Sequence, residues 1–291
     1  MTQPQRVVIV TGASSGIGLE TAKEFARMGW HVIGQGRNTE RCAAAEAAIR
    51  EKCKAGGKID FLRANLSLMK ETKRLAEQIG ALTNHIDVLI NNAGGIRDGK
   101  YLTAEGTEET FAGNHLAPSL LTRELMPLIE TAAAMRPPES VRIIAVSSTA
   151  YANAAHGLNF GDIQHLSDEF VPGAVYCEAK LANQLFNVAL NARLAGTGIV
   201  SQALVPGPVY TNFFSYGNDR IKDMIKTASA LTPAEVADTL VWIATGRETG
   251  APGGRMFYEM KEQPVLPHGT DQAAAERLWA ETEQILATLG F

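Results

Sequence analysis

Short runs of β-branched residues alternate with longer amphipathic stretches along almost the whole chain. Strands are expected at 6–10, 31–34, 58–63, 86–90, 141–146, 199–204 and 255–258. They are short, apolar and bounded by Gly, Asn or Pro, as strands buried on both faces of a parallel sheet read. Helices are expected between them at 17–28, 40–54, 69–82, 108–135, 174–194 and 233–245, with a last amphipathic helix at 273–289. This alternation implies an α/β fold: a doubly wound, parallel sheet of about seven strands with right-handed crossovers, flanked by helices. There is no internal repeat, linker or charge block, so one domain is expected over residues 1–291, with a core at 1–258 and a C-terminal helical extension at 259–291.

Composition narrows the function classes. Hydrophobic residues are 45% and charged residues 20% of 291, which excludes disorder, collagen and coiled coil. No apolar run approaches the roughly 18 residues of a membrane span, and 7–10 is too brief for a signal core. No membrane anchor is expected. The net charge of −4 gives no global basic footprint for nucleic acid. Three scattered cysteines (Cys42, Cys53, Cys177) point to a reducing, cytoplasmic setting. The six histidines show no metal-ligand spacing, so no metal is expected.

The first strand runs into Thr11-Gly12-Ala13-Ser14-Ser15-Gly16-Ile17-Gly18 and then a helix. Glycine permits a tight turn and close backbone approach to a pyrophosphate, which the helix N-terminus stabilises. The spacing is G-x-x-x-G-x-G, and its place after the first strand of a βαβ pattern favours a dinucleotide over a purely structural turn, as in a Rossmann-type fold. The second strand ends in Gly34-Gln35-Gly36-Arg37-Asn38. No carboxylate stands there to accept from a ribose 2′-OH, and the Arg37 fork suits a 2′-phosphate, so NADP(H) is expected in preference to NAD(H). The competing reading makes Arg37 a solvated loop charge.

Tyr176 and Lys180 stand four apart, on one face of the expected helix. An ammonium beside a phenol favours phenolate and draws its pKa toward neutrality, which general acid–base work needs. Ser147 and Ser148 end the strand at 141–146, at the sheet edge where open α/β folds bind ligands.

Together these residues resemble the short-chain dehydrogenase/reductase family. The matching positions, in family order, are the Gly12/Gly16/Gly18 turn, Asn91-Asn92-Ala93-Gly94, Asn114, Ser148, Tyr176, Lys180 and Pro206-Gly207. Asn114-His115-Leu116, the run Lys180-Leu181-Ala182-Asn183 and the tail Glu276-Arg277-Leu278-Trp279 are similar to the retinol-dehydrogenase-like branch.

The resemblance implies that Tyr176 is the general acid/base and that Lys180 lowers its pKa and bonds the nicotinamide ribose. It makes Ser148 the hydrogen-bond partner of the reacting oxygen, and Asn114 the holder of a water that links Lys180 to solvent. Gly12, Ser14, Ser15, Gly16, Ile17, Gly18, Arg37, Asn38, Asn65, Leu66, Asn91, Ala93, Gly94, Pro206, Gly207, Val209 and Thr211 would line the cofactor with Tyr176 and Lys180.

Three departures stand out. The membrane-associated members of the retinol-dehydrogenase-like branch carry an N-terminal hydrophobic anchor and none is expected here, which counts against retinol itself as the substrate. Asn65-Leu66 replaces the family's common Asp-Leu, and Ser148 and Tyr176 lie further apart than in many members. The stretch 150–175 would then add pocket wall. The aromatic-rich stretch 209–231, with Phe213, Phe214, Tyr216 and Met224, suggests a lid over an apolar substrate. The expected partner is a small-molecule carbonyl or alcohol, apolar and in some cases aromatic; if the chain self-associates, a dimer is favoured over a tetramer. The alternative from another class is a non-catalytic NAD(P)-sensing protein. Such proteins tend to lose the Tyr or Lys, and both are present.

Overall fold

The computed structural model describes residues 4–167, 169–209 and 230–291. Thr211, Phe213, Phe214, Tyr216 and Met224 lie outside the described residues. The strands are β1 (Val7–Val10), β2 (His31–Gly36), β3 (Lys58–Arg63), β4 (Val88–Asn91), β5 (Val141–Val146), β6 (Ile199–Leu204), β7 (Met256–Tyr258) and β8 (Lys261–Gln263). They form one sheet in the order β3-β2-β1-β4-β5-β6-β7-β8, parallel throughout except for β8. Chain order reverses between β1 and β4. Ligands bind at such a reversal, outside the C-terminal ends of the strands.

The helices are α1 (Gly16–Arg27), α2 (Thr39–Arg50), α3 (Met69–Leu82), the single turn α4 (Glu109–Phe111), α5 (Ala117–Met135), α6 (Pro172–Arg193), α7 (Pro233–Thr245) and α8 (Gln272–Thr288). Period-2 alternation sorts β1 between two cores. Val8 and Val10 pack with Phe25 of α1 and Leu240 of α7. Ile9 packs with Leu75 of α3 and Leu125 of α5 on the other face. A third cluster joins α6 to α8 through Leu181, Leu185, Leu278 and Leu286.

The structure departs from the sequence reading in three places. An eighth, antiparallel strand follows β7 through the two-residue turn Glu259-Met260, whose φ values are 45° and 55°. Two left-handed central residues suit the right-handed twist of a hairpin, but neither is the usual Asn or Gly signal. The expected helix 108–135 starts as α4 and then widens into a π-helical turn at Ala112–Leu116 before α5. Glu108 falls outside it as the N-cap, its carboxylate accepting from Thr110 N and Phe111 N.

The third concerns 150–175. None of its described residues lines the cavity at the β1/β4 reversal. Instead, Tyr151, Ala154 and Ile163 are buried in the α6–α8 cluster. The Tyr151 hydroxyl accepts from Leu266 N at 3.1 Å, tying this segment to the chain that leads into α8.

Candidate active site

A cavity of about 640 Å³ opens at the β1/β4 reversal. It brings together Gly12, Ser14, Ser15, Gly16, Ile17, Arg37, Asn38, Asn65, Leu66, Ala93, Gly94, Asn114, Ser148, Tyr176, Lys180, Pro206, Gly207 and Val209, all singled out in the sequence. Two others stand outside its wall. Asn91 is buried, and its Nδ2 donates to Thr122 Oγ1 at 3.0 Å, tying β4 to α5. A Cβ on Gly18 would stand 2.5 Å from Gly12 O and 2.6 Å from Asn92 Nδ2, so bare backbone there lets α1 press against the turn.

The glycine turn is held from two sides. Gly12 and Gly16 have φ of 68° and 55°, the left-handed region that favours glycine. Gly12 N donates to Gln35 Oε1 at 3.1 Å and Ala13 N to Gln35 O at 2.8 Å. On the β4 side, Thr11 Oγ1 accepts from Asn92 N at 3.0 Å and Ala93 N at 2.9 Å, while Asn92 Nδ2 donates to Thr11 O at 2.8 Å. Ser15, the N-cap of α1, makes no side-chain cap bond, and the first turn carries no acidic residue. The leading amides of α1 thus face the cavity as donors suited to an anion.

The wall after β2 carries Arg37, Asn38, Thr39 and Arg41. Asn38 caps α2, its Oδ1 accepting from Arg41 N at 2.9 Å. Arg97 and Glu109 face this wall from the β4 side. Arg97 grips the Glu109 carboxylate with two bonds, Nε to Oε2 at 2.9 Å and NH2 to Oε1 at 2.6 Å. Arg37 NH1 lies 3.9 Å from the same Oε1. Asn65, also in the wall, accepts from Ser67 Oγ at 2.9 Å.

The same cavity is lined by Asn114, Ser148, Tyr176 and Lys180. Lys180 is buried, and its Nζ donates to Val146 O at 3.1 Å and lies 5.7 Å from the Tyr176 ring centre. Burial pulls its ammonium down to about 8. Burial also pushes the Tyr176 phenol above its ordinary value, and a hydrogen bond from Ser148 opposes that rise. Ser148 Oγ accepts from Ala150 N at 3.2 Å, which leaves its own proton for Tyr176.

Asn114 sits on the π-helical turn. Its Nδ2 donates to Gly95 O and Thr110 O, each at 2.7 Å, and its Oδ1 accepts from Gly95 N at 3.2 Å. A Cβ on Gly94 would meet Asn114 Oδ1 at 2.6 Å and Lys180 Nζ at 3.4 Å, so glycine is what lets these groups approach.

Sequence reasoning missed Gln35, Arg41, Asn92, Arg97 and Glu109 in this wall. Asn92 had a signal, lying inside the quoted Asn91–Gly94 run. Arg97 and Glu109 had none, because their pairing exists only once the chain folds back. Among the described residues no His, Cys, Asp and Glu cluster could hold a metal, and no helix is long and apolar enough to cross a membrane.

Known proteins identify the family and the fold. A family model described as short chain dehydrogenase matches residues 6–160. Human retinol dehydrogenase 13 is 32% identical over 98% of this chain and 86% of its own length. Human polyprenol dehydrogenase is 32% identical over 99% of this chain and 87% of its own. A crystal structure of a putative uncharacterized protein from Mycobacterium paratuberculosis superposes with a TM-score of 0.73 at 28% identity, covering 97% of this chain and 93% of that one. The chain therefore belongs to the short-chain dehydrogenase family, in its retinol-dehydrogenase-like branch, and is an oxidoreductase acting on CH–OH groups.

Proposed function

We propose that the protein is an NADP(H)-dependent oxidoreductase that interconverts a carbonyl and an alcohol on an apolar substrate, with Tyr176 as general acid/base. The observation that carries this reading is convergence. Ser148, Tyr176, Lys180 and Asn114 line the same cavity as the glycine turn. The nicotinamide, when bound, supplies the hydride chemistry.

The chain's own residues supply the rest. Ser14, Ser15, Gly16 and Ile17 offer backbone donors to the pyrophosphate. Arg37, with Arg41 beside it, would receive the 2′-phosphate; Asn38, Asn65, Leu66 and Ala93 would bound the adenosine side; Gly94 would meet the cofactor beside Lys180; and Pro206, Gly207 and Val209 would cover the nicotinamide side. The donor set suits the group, since uncapped helix amides and guanidinium forks both match phosphate oxygens.

Tyr176 O–H gives its proton to the substrate oxygen in reduction and takes it back in oxidation. With substrate bound, Ser148 would turn its one hydroxyl proton from Tyr176 to that oxygen and stabilise developing alkoxide charge. The Lys180 ammonium, 5.7 Å from the Tyr176 ring centre, would favour the phenolate against the burial that holds the phenol protonated, and Asn114 would hold a water through which Lys180 exchanges protons with solvent. Support for an apolar alcohol comes from the two relatives, named for retinol and polyprenol. One folding domain over 1–291 and a reducing cytoplasmic setting belong to the same proposal; the free Cys42, Cys53 and Cys177 support the latter.

The test is Tyr176→Phe, assayed with NADPH and a panel of apolar ketones, aldehydes and secondary alcohols. Loss of turnover with NADPH binding retained supports the mechanism; undiminished turnover sinks it.

A further inference from the structure

The Glu109 carboxylate stands between two guanidiniums that come from opposite walls of the cavity. Arg97, on the chain that follows β4, takes both of its oxygens. Arg37, on the chain that follows β2, reaches Oε1 only at 3.9 Å, the outer limit of an ion pair. The Arg97 bond is bidentate and the Arg37 contact is loose, so the two differ in how readily they exchange partners. We infer that Glu109 sets how strongly this pocket prefers a 2′-phosphorylated dinucleotide, by competing with that phosphate for Arg37.

The inference rests on the proposed role of Arg37 and adds a residue to it. Among the described residues, the three guanidiniums of Arg37, Arg41 and Arg97 outnumber the one carboxylate of Glu109 in the cavity lining, which fits a phosphate dianion. Glu109 opposes that fit in two ways. Its charge repels the incoming phosphate, and its Oε1 gives Arg37 an alternative acceptor. Arg97 keeps Glu109 in place throughout, because its fork already matches the carboxylate. A dinucleotide with a free 2′-OH has no use for Arg37 as an ion partner, so it feels Glu109 far less. Glu109 thus acts on the difference between the two cofactors, and specificity is such a difference.

Glu109→Gln removes the charge and keeps an oxygen that accepts from Arg97. Equilibrium fluorescence titrations with NADPH and NADH are made on the wild type, Glu109→Gln, Arg37→Ala and the double variant, each checked by thermal melting. Glu109→Gln is expected to tighten NADPH by about threefold or more and to change NADH by less than about twofold, an effect sized to an exposed ion pair. The gain is expected to vanish in the Arg37→Ala background and to shrink in about 0.5 M salt. Adenosine 2′,5′-bisphosphate, which has no nicotinamide, is expected to follow NADPH, while adenosine 5′-monophosphate follows NADH.

Equal shifts for both cofactors, weaker NADPH binding, or a gain that persists without Arg37 would overturn the role of Glu109. The proposed cofactor preference is read separately, on the wild type. A wild type that binds NADH more tightly removes that preference, whereas the change made by Glu109→Gln still decides the competition.

Discussion

The His115 imidazole and the Thr282 hydroxyl meet at 2.8 Å between the π-helical turn and α8. The single Thr282 proton goes to Leu278 O at 2.7 Å, so Thr282 Oγ1 accepts and His115 Nε2 donates. His115 is fully buried and its Nδ1 has no partner, which agrees with a bare acceptor at that nitrogen. The bond fastens the residue next to Asn114 to a helix beyond the main run of strands. Thr282→Val leaves the imidazole donor unsatisfied and should lower unfolding stability by about 1–3 kcal/mol in urea titrations, with Thr282→Ser restoring most of it.

Burial pulls the same imidazole down to about 3. Below pH 6.5 the unfolded chain binds a proton that the folded chain refuses, so this group's contribution to stability is full above 6.5 and is lost as pH falls toward 3. His115→Gln should flatten the acid limb of the stability–pH curve by close to one proton. Parallel wild-type and variant limbs would contradict the assignment.

Lys180 gives the opposite end of the scale. Its folded pKa of about 8 lies below the ordinary lysine value, so the unfolded chain carries the extra proton between about 8 and 10.5. Wild-type stability should rise with pH across that window. Lys180→Met should lose this rise, together with most turnover, and its stability relative to wild type should be most favourable below pH 8. Differential scanning calorimetry from pH 7 to 10.5 checks the sign.

Gly94→Ala tests the close approach of Gly94 to Asn114 and Lys180. The added methyl would press on Asn114 Oδ1 and Lys180 Nζ, so kcat should fall by roughly tenfold or more through misplacement. Because Gly94 also lines the cofactor cavity, KM for the cofactor should rise as well.

Far from the cavity, Asp87 and Arg136 form a buried pair, with Arg136 Nε donating to Asp87 Oδ1 at 2.5 Å and Val7 N donating to Oδ2 at 2.8 Å. Asp87→Ala removes the carboxylate that faces this buried guanidinium and should cost about 3–5 kcal/mol, read as a lowered denaturant midpoint.

The strands and most of the cavity wall were legible in the sequence because each rests on a local pattern. Buried parallel strands are apolar runs, and the glycine turn, Asn91–Gly94, and the Tyr176/Lys180 pair are contiguous or one helical turn apart. The π-helical turn was not legible, since inserting a residue into a helix leaves no propensity signal. Asn91 was misplaced by analogy: strand alternation puts its side chain under the sheet and that of Asn92 beside the turn. The stretch 150–175 was read as wall because its length was visible and its partner, the chain leading into α8, was not. The Arg37–Glu109–Arg97 contact is a product of tertiary folding alone.

Thr11 and Asn92 exchange bonds across the β1/β4 reversal, so the glycine turn and the loop after β4 move as one jaw rather than two. A dinucleotide entering that jaw meets donors already aimed and orders little new backbone, which keeps the entropic cost of association low. Variation at Asn92 should therefore be felt as looser grip on the pyrophosphate, at a turn that lies nowhere near it in the chain.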